Sequence, residues 1–286
     1  MKRSTKAHEF TRREALFVKF CVISWMVLFV PSSIVSAKEP ITVYLAGDST
    51  MAQKLPEKRP ETGWGEFLQA FFDDQKVKVE NHAKNGRSTR TFIEEKLWQR
   101  IIEKLKPGDY VFIQFGHNDS SKEKVERYAS PDEYRANLVR FISEVRERNA
   151  GPVLLTPVMR RRFDKDGKFY DTHGVYPDIV RAVAVESRVP LIDMHRLSER
   201  VIKQCGVEGS KALFLHLKPN ENANYPNGVT DNTHFTPLGA ETLAALVVGE
   251  LQTSKLDLAK RLLKSKAGTL RRPCMSSATV STFFRQ

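Results

Sequence analysis

Short apolar runs alternate along the chain with segments whose apolar residues recur every three or four positions. The runs are rich in β-branched and aromatic residues, which is typical of buried strands, whereas the wider spacing is typical of amphipathic helices. The predicted strands cover residues 41–46, 77–79, 110–115, 152–156 and 189–193. The predicted helices cover residues 64–72, 91–105, 131–149, 176–187, 194–205 and 238–251. This alternation predicts an α/β fold, a three-layer α/β/α sandwich around a five-stranded, mostly parallel sheet.

The net charge of +12 first suggests a polyanionic partner, but the charge is concentrated at the two ends of the chain. Residues 1–37 contain six basic and two acidic residues, and residues 260–286 contain seven basic residues and no acidic one. The region 38–259 is therefore nearly neutral, and its composition does not indicate a nucleic-acid partner. We expect one domain over this region and a disordered basic tail after it. The tail is either a dispensable extension or an anchor to an acidic polymer or the cell envelope.

The first 37 residues have the pattern of a secretory signal peptide. Basic residues precede an apolar run over residues 20–30, Pro31 ends the run, and small residues follow up to a cleavage point after Ala37. The alternative is an uncleaved membrane anchor, but the run is shorter than the roughly 20 residues that span a bilayer. The sequence therefore predicts export to the periplasm or the extracellular space, with no membrane span left after cleavage.

Cleavage would remove Cys21 and leave Cys205 and Cys274. Two cysteines in an exported protein could form a disulfide, and the sequence leaves this pairing open. Neither cysteine has the neighbouring histidine that would indicate a nucleophilic thiol, and the histidines lack the spacing of metal ligands. The sequence therefore gives no indication of a metal site. We expect a monomeric protein.

Four short polar segments are candidates for chemistry: Gly47-Asp48-Ser49-Thr50, Asn85-Gly86-Arg87-Ser88, Gly116-His117-Asn118-Asp119 and Asp231-Asn232-Thr233-His234. The first three follow predicted strands, where parallel α/β sheets place their sites. Taken alone, each segment is explained at least as well by a structural role, as a helix cap, a turn or a helix entry. Together they supply a serine, groups that stabilise an oxyanion, and an Asp and a His three residues apart. This combination indicates ester hydrolysis through a serine nucleophile.

Each group has a role in that hypothesis. Ser49, at a strand-to-helix turn, is the nucleophile. His234 is its general base, and Asp231 orients the imidazole from a loop or from the first turn of the last helix. Gly86 lets a backbone N–H approach a ligand closely, and Asn118 directs its side-chain amide into the same cleft.

The same residues resemble the sequence blocks of the SGNH (GDSL-type) hydrolase superfamily, whose block residues would be Ser49, Gly86, Asn118 and His234. Within it, GDST in place of GDSL, together with NGRST, FGHND and DNTH, resembles the rhamnogalacturonan acetylesterases of carbohydrate esterase family twelve. The resemblance covers almost the whole predicted domain and implies a flavodoxin-like sandwich. It implies a triad of Ser49, Asp231 and His234, and an oxyanion hole of the Ser49 N–H, the Gly86 N–H and the Asn118 side chain. It implies neither a metal nor a cofactor.

The resemblance also implies an acetylated polysaccharide as the substrate, with rhamnogalacturonan, a pectic polymer, as the leading choice. Asp48 and His117 would support the catalytic groups. The candidate substrate-binding residues follow the fourth predicted strand: Arg160, Arg161, Arg162 and His173. Guanidinium groups suit the carboxylates of galacturonate, although a solvated basic loop explains the arginines equally well. Xylan, a sialic acid or a short lipid ester are alternative substrates, and a non-catalytic glycan-binding module is the alternative from another functional class.

Overall fold

The computed structural model describes residues 40–263 and contains a five-stranded sheet in which every neighbouring pair is parallel. The strands are β1 (Ile41–Gly47), β2 (Val77–Asn81), β3 (Tyr110–Gln114), β4 (Gly151–Leu155) and β5 (Leu191–Ile192). Their order across the sheet is β2-β1-β3-β4-β5. The order reverses at β1, so the ligand crevice expected in such sheets lies beyond the carboxyl ends of β1 and β3. The predicted signal peptide, Cys274 and most of the predicted tail lie outside the described residues.

Helices cover both faces of the sheet. α1 (Thr89–Glu94), α2 (Leu97–Ile102), α3 (Pro131–Glu147) and α4 (Tyr176–Glu186) pack on one face, and α5 (Met194–Gly209) and α6 (Pro237–Thr253) on the other. Residues of β1 alternate between the two cores: Val43 and Leu45 face α5 and α6, and Tyr44 and Ala46 face the other helices. The predicted three-layer α/β/α sandwich is therefore confirmed. Within residues 40–263 no helix is long and apolar enough to cross a membrane.

The first predicted helix is wrong. In place of an α-helix, residues 64–72 form two short 3-10 turns, Trp64–Glu66 and Leu68–Phe71. The first of these turns donates its leading N–H groups to the carbonyls of Thr50 and Met51, at 3.0 and 3.2 Å. Tertiary hydrogen bonds to the turn after β1 have therefore replaced the helical pattern that the apolar spacing favours.

The second predicted helix, over residues 91–105, is two helices in the structure. Lys96 lies between α1 and α2 in the left-handed conformation, with φ of 58°, which ends the first helix. The predicted start of α3 agrees with the structure, because the Ser130 side chain accepts the N–H of Glu133 as an N-cap does.

A second, smaller sheet has no counterpart in the sequence-based prediction. β6 (Phe214–Leu217) and β7 (Val229–Phe235) form an antiparallel ribbon. The sequence predicts a loop or a first helical turn for residues 231–234, because they are polar and lack the alternation of a half-buried strand. In the structure they belong to β7, and the N–H of Thr62 donates to the carbonyl of Phe235 at 3.0 Å. Pairing with residues distant in sequence has therefore decided the conformation.

Candidate active site

A tight turn after β1 presents Ser49 beyond the carboxyl end of the sheet. The carbonyl of Asp48 accepts the N–H groups of Met51 and Ala52, at 3.2 and 3.0 Å, which closes the turn. A Cβ on Gly47 would lie 2.8 Å from the sulfur of Met51, so glycine lets the strand enter the turn this closely. Because the Asp48 carbonyl points into the turn, the N–H of the same peptide unit, that of Ser49, points away from it. Among residues 40–263 no protein acceptor takes that N–H.

Ser49, His234 and Asp231 form a hydrogen-bonded row. The Oγ of Ser49 lies 2.8 Å from Nε2 of His234, and Nδ1 of His234 lies 2.7 Å from Oδ2 of Asp231. A carboxylate only accepts, so Nδ1 carries the imidazole proton and Nε2 can take one from the serine hydroxyl. The side chains of His234 and Asp231 are 27% and 28% exposed. The row therefore has the arrangement of a nucleophile, a base and an orienting carboxylate, within reach of solvent.

Asp231 is held in its ionised form by its surroundings. Its second oxygen, Oδ1, accepts the N–H groups of Thr233 and His234, at 2.7 and 3.1 Å. Burial opposes the negative charge, but the interactions with His234 and the N–H of Thr233 outweigh it and lower the pKa of Asp231 to about 2. At neutral pH the carboxylate is therefore charged and able to stabilise an imidazolium beside it.

The loop after β2 carries Gly86 and is tied to the end of β1 and to the loop after β3. The N–H of Lys84 donates to the carbonyl of Gly47 at 3.0 Å, and Nδ2 of Asn118 donates to the carbonyl of Arg87 at 2.8 Å. Gly86 has φ of +76°, in the left-handed region that favours glycine. Among the described residues no protein acceptor takes the Gly86 N–H, and Nδ2 of Asn118 has a second proton to donate. The structure thus places the predicted oxyanion donors at the ends of neighbouring strands.

A fully buried polar network lies under the nucleophile turn. Oδ1 of Asp48 accepts the N–H and the hydroxyl of Thr50, at 2.9 and 2.7 Å, and Oδ2 lies 3.2 Å from Nδ1 of His117. Gln114 donates to the Thr50 hydroxyl at 2.8 Å and accepts from the indole N–H of Trp64 at 3.0 Å. Burial would raise the pKa of Asp48, but His117 and Thr50 lower it to about 2, while burial lowers the pKa of His117. Asp48 therefore carries the charge of this pair.

Asp119 fixes the loop that presents Asn118. Its Oδ1 accepts the N–H and the hydroxyl of Thr89, at 2.8 and 2.6 Å, and its Oδ2 accepts the N–H of Gly116 at 3.1 Å. Complete burial raises the pKa of Asp119 to about 7, against the effect of these hydrogen bonds. The sequence alone indicates no role for Asp119 beyond its place in the Gly116–Asp119 segment. The loop geometry supplies one, because Asp119 joins the segments after β2 and β3.

One of the predicted arginines, Arg160, lies at the edge of the site. Arg160 is half-buried, and its guanidinium donates to the carbonyl of His117 at 3.0 Å and to the hydroxyl of Thr172 at 3.1 Å. Arg162 is also partly exposed. Arg160 therefore directly contacts the loop that carries Asn118.

Arg161 has a different place, and the expectation that it contacts substrate is wrong. The residue is 7% exposed. Its guanidinium donates to the side chains of Ser210 and Asn232, both at 2.9 Å, and to the carbonyl of Val207. Because Asn232 lies on β7 between the two catalytic candidates of that strand, Arg161 holds the ribbon in position.

His173 is only 1% exposed, so the expectation that it contacts substrate is also wrong. Its Nδ1 lies 2.7 Å from Oδ1 of Asp171, and the other carboxylate oxygen lies 3.3 Å from Nε2 of His195. The His173 ring packs edge-on against the ring of His117, with centroids 4.8 Å apart. Burial lowers the pKa of His173 to about 3. His173 therefore belongs to the neutral, buried layer beneath the site.

Asp171, His173 and His195 have ligand atoms within 4.8 Å of one another, a spacing that a metal ion could use. The guanidinium of Arg181 lies 3.3 Å from Nδ1 of His195 and can only donate, so Nδ1 accepts and the ring proton is on Nε2, facing Asp171. A metal-bound imidazole instead donates from its second nitrogen. The hydrogen bond from His173 to Asp171 and the close contact of His195 with the same carboxylate therefore explain the cluster better than a metal does. The sequence did not reveal the cluster, because only the fold brings His195 to the other two residues.

Comparison with known proteins identifies the family. Residues 45–242 match the GDSL-like Lipase/Acylhydrolase family. The chain belongs to this family. It is 42% identical to the rhamnogalacturonan acetylesterase RhgT of Bacillus subtilis strain 168, over 79% of this chain and 96% of that protein. It is 35% identical to the probable rhamnogalacturonan acetylesterase YesY of the same organism, over 78% of this chain and 98% of that protein.

As a GDSL-like acylhydrolase, the protein is a carboxylic ester hydrolase. Its fold agrees with the crystal structure of the Bacillus subtilis protein YxiM, with a TM-score of 0.63 and 29% identity. That match covers 74% of this chain and 56% of YxiM, so the chain spans just over half the length of that protein.

Proposed function

We propose that this acylhydrolase is a secreted serine esterase that removes acetyl groups from a pectic polysaccharide, with rhamnogalacturonan as its substrate. The observation that carries the chemistry is the row of Ser49, His234 and Asp231, with contacts of 2.8 and 2.7 Å. The substrate class is supported by the similarity to RhgT, which extends over 96% of that acetylesterase.

In the first half of the reaction, the Oγ of Ser49 forms a bond to the acetyl carbonyl carbon while its proton passes to Nε2 of His234. The N–H groups of Ser49 and Gly86 and the amide of Asn118 stabilise the tetrahedral oxyanion. The bond to the sugar oxygen then breaks, and His234 returns the proton to that oxygen. The deacetylated sugar leaves, and an acetyl group remains on Ser49.

In the second half, water attacks the acetyl-enzyme with His234 as its base. The tetrahedral intermediate collapses to acetate, and the proton returns to Ser49. Asp231 stays ionised throughout and stabilises the imidazolium in both halves, in keeping with its low pKa.

Recognition of the acidic polymer falls to Arg160 in this proposal. Its guanidinium donates to the carbonyl of His117, and His117 directly precedes Asn118. Arg160 remains partly exposed at the edge of the site. A guanidinium in that position suits a galacturonate carboxylate of the polymer chain.

Export is the remaining part of the proposal. Basic residues, the apolar run at residues 20–30 and the small residues before position 38 support a cleaved signal peptide. The mature protein recovered from the producing cell should begin at Lys38, which mass spectrometry of its N-terminus would establish. A mature chain that retains residues 1–37 would contradict export by cleavage.

The substrate is tested by acetate release from acetylated rhamnogalacturonan, xylan and homogalacturonan, compared side by side at equal acetyl content. Rhamnogalacturonan should be deacetylated fastest. Ser49→Ala should lower the rate by about 10⁴-fold or more while the protein stays folded. Ser143→Ala, on the exposed surface of α3, is the matched control and should keep the wild-type rate.

The proposed substrate and the proposed mechanism can be contradicted independently of each other. Faster release from xylan would overturn the substrate and leave the mechanism standing. A Ser49→Ala protein that releases acetate at the wild-type rate would overturn the mechanism whatever the substrate.

A further inference from the structure

Lys54 is a fully buried ammonium group with an acceptor for each of its three protons. Its side chain is 0% exposed, and Nζ lies 2.5 Å from the carbonyl oxygen of Ser49, 2.9 Å from Oδ1 of Asn85 and 2.7 Å from Oε1 of Glu61. A buried charge is tolerated when it is paired and hydrogen-bonded, and the fold meets both conditions here. The surroundings of Lys54 are therefore built around a positive charge.

The three acceptors belong to different segments of the chain. Ser49 is the nucleophile, Asn85 directly precedes Gly86 in the loop after β2, and Glu61 lies in the segment between β1 and β2. The ammonium thus joins the nucleophile turn to the loop that supplies an oxyanion donor. The backbone hydrogen bond from Lys84 to Gly47 also joins this loop to the end of β1, but it does not involve Ser49.

Lys54 is itself fixed by its backbone. Its N–H donates to Oε1 of Glu66 at 3.3 Å, and its carbonyl accepts from the guanidinium of Arg59 at 3.3 Å. Arg59 and Glu66 in turn form an ion pair at 2.5 Å. The ammonium therefore extends from an anchored main chain and holds a defined place.

We propose that Lys54 is a positioning residue for the hydrolysis, because it holds Ser49 and the Gly86 loop at the separation that the tetrahedral oxyanion requires. The inference rests on the proposed chemistry at Ser49. Lys54 acts through two segments that contact the reacting atoms. Its loss should therefore weaken stabilisation of the transition state more than binding of the ester.

The test uses Lys54→Met, which keeps the length of the side chain and removes the charge and the donors. With p-nitrophenyl acetate, kcat should fall by about 100-fold, the size of effect seen when one oxyanion donor is lost, and KM should change by less than about threefold. Lys104→Met is the matched control, since Lys104 also pairs with a carboxylate, that of Glu80 at 3.1 Å, but at an exposed site. It should leave both constants unchanged.

The link through Asn85 gives a second readout. Asn85→Ala should lower kcat by about tenfold in the wild-type background, but have little further effect when Lys54 is already Met. Equal losses in both backgrounds would show that the two residues act independently and would contradict the bridge.

Labelling of Ser49 by a fluorophosphonate separates this inference from the proposed function. The labelling reaction needs no glycan. The effect of Lys54 on the rate of Ser49 modification can therefore be measured even if the protein deacetylates none of the polysaccharides. We expect a loss of about 100-fold in that rate as well.

The interpretation also depends on whether the Lys54 variants fold. A folded Lys54→Met protein with wild-type kcat and labelling rate would overturn the proposal. If Lys54→Met does not fold, Lys54→Gln, which retains an amide donor, is measured in the same way. Failure of both variants to fold would assign Lys54 to stability alone and would equally reject a positioning role.

Discussion

The two halves of the proposed catalytic row rest on very different parts of the molecule. Ser49 lies above a buried platform, defined here as Asp48, Thr50, Gln114 and Trp64, whose four residues are all 0% exposed. His234 and Asp231 lie on the β6–β7 ribbon, outside the central sheet, and both are about one quarter exposed.

The platform and the ribbon are therefore stabilised in different ways. Hydrogen bonds are strong in a buried platform, since little water competes for them, and they hold the nucleophile turn rigidly. A two-stranded ribbon is marginally stable by itself and depends on outside contacts such as those of Arg161 and Thr62. Changes in the platform should therefore lower stability, and changes to the ribbon's catalytic side chains should lower activity.

The sharpest test on the ribbon is Asp231→Asn. The amide keeps the shape of the carboxylate but no longer stabilises an imidazolium, and it permits the wrong tautomer of His234. We expect kcat to fall by about 10⁴-fold while the urea midpoint changes little. Hydrolysis of p-nitrophenyl acetate measures the loss.

Asp178→Asn is the control for this change, because Asp178 is an exposed carboxylate that pairs with Arg181 on α4. It should retain wild-type kcat. An Asp231→Asn enzyme within tenfold of wild type would show that His234 is oriented by something other than this carboxylate.

The matching test on the platform is Asp48→Asn. It removes the buried charge next to His117 and weakens two hydrogen bonds to Thr50, so we expect a loss of about 3 kcal/mol in the free energy of unfolding. Urea denaturation measures it, with Asp73→Asn at the exposed turn before β2 as the control. If Asp48→Asn unfolds at the wild-type urea concentration, the platform does not stabilise the domain.

The same division explains how far the sequence could be interpreted. Ser49 and Asn118 follow apolar strands, whose buried runs and turn residues are local signals, so the sheet and these positions could be predicted. The ribbon could not, because β7 is polar and becomes a strand only by pairing with β6. Lys54 was missed for a related reason: a lone lysine in a polar segment has no local signal of burial, and its partners at positions 61 and 85 meet it only in the fold.

Arg160 and Arg161 sharpen the comparison, because they are neighbours in sequence with different roles. Arg161 holds the ribbon in position, whereas Arg160 is partly exposed at the edge of the site. Arg161→Met should lower the free energy of unfolding by about 2 kcal/mol, because the contacts of a buried guanidinium to Ser210, Asn232 and Val207 are lost, and should leave KM unchanged. Arg160→Met should leave stability nearly unchanged and raise KM for acidic rhamnogalacturonan by about tenfold, the effect of one lost charge-assisted contact.

The control for both arginines is p-nitrophenyl acetate, which carries no carboxylate. Arg160→Met should hydrolyse it with wild-type KM. A rise in KM on the neutral ester as well would mean that Arg160 shapes the site and does not bind the polymer's charge. A substrate effect confined to Arg161→Met would reverse the two roles.

The last effect we expect is a loss of stability in mild acid, which originates beside the platform. Burial lowers the pKa values of His117 and His173, the latter to about 3, whereas histidine in the unfolded chain titrates near 6.5. Below pH 6.5 the unfolded chain therefore binds protons that the native state excludes, and stability falls with falling pH until the native pKa is reached. Each such group contributes a slope of about 1.4 kcal/mol per pH unit within that window.

Urea denaturation at pH 7.5, 6.5, 5.5 and 4.5 measures this slope. His173→Gln should reduce the slope by about 1.4 kcal/mol per pH unit, the contribution of one such group, because glutamine is not protonated in the folded or the unfolded state. His82→Gln, at a partly exposed position beside Glu80, is the control for removing a histidine as such. If wild type and His173→Gln lose stability in parallel, the acid sensitivity comes from elsewhere. In that case the ribbon, where burial lowers the pKa of His216, would be the less acid-resistant half of the site, and the order of the two regions would be reversed.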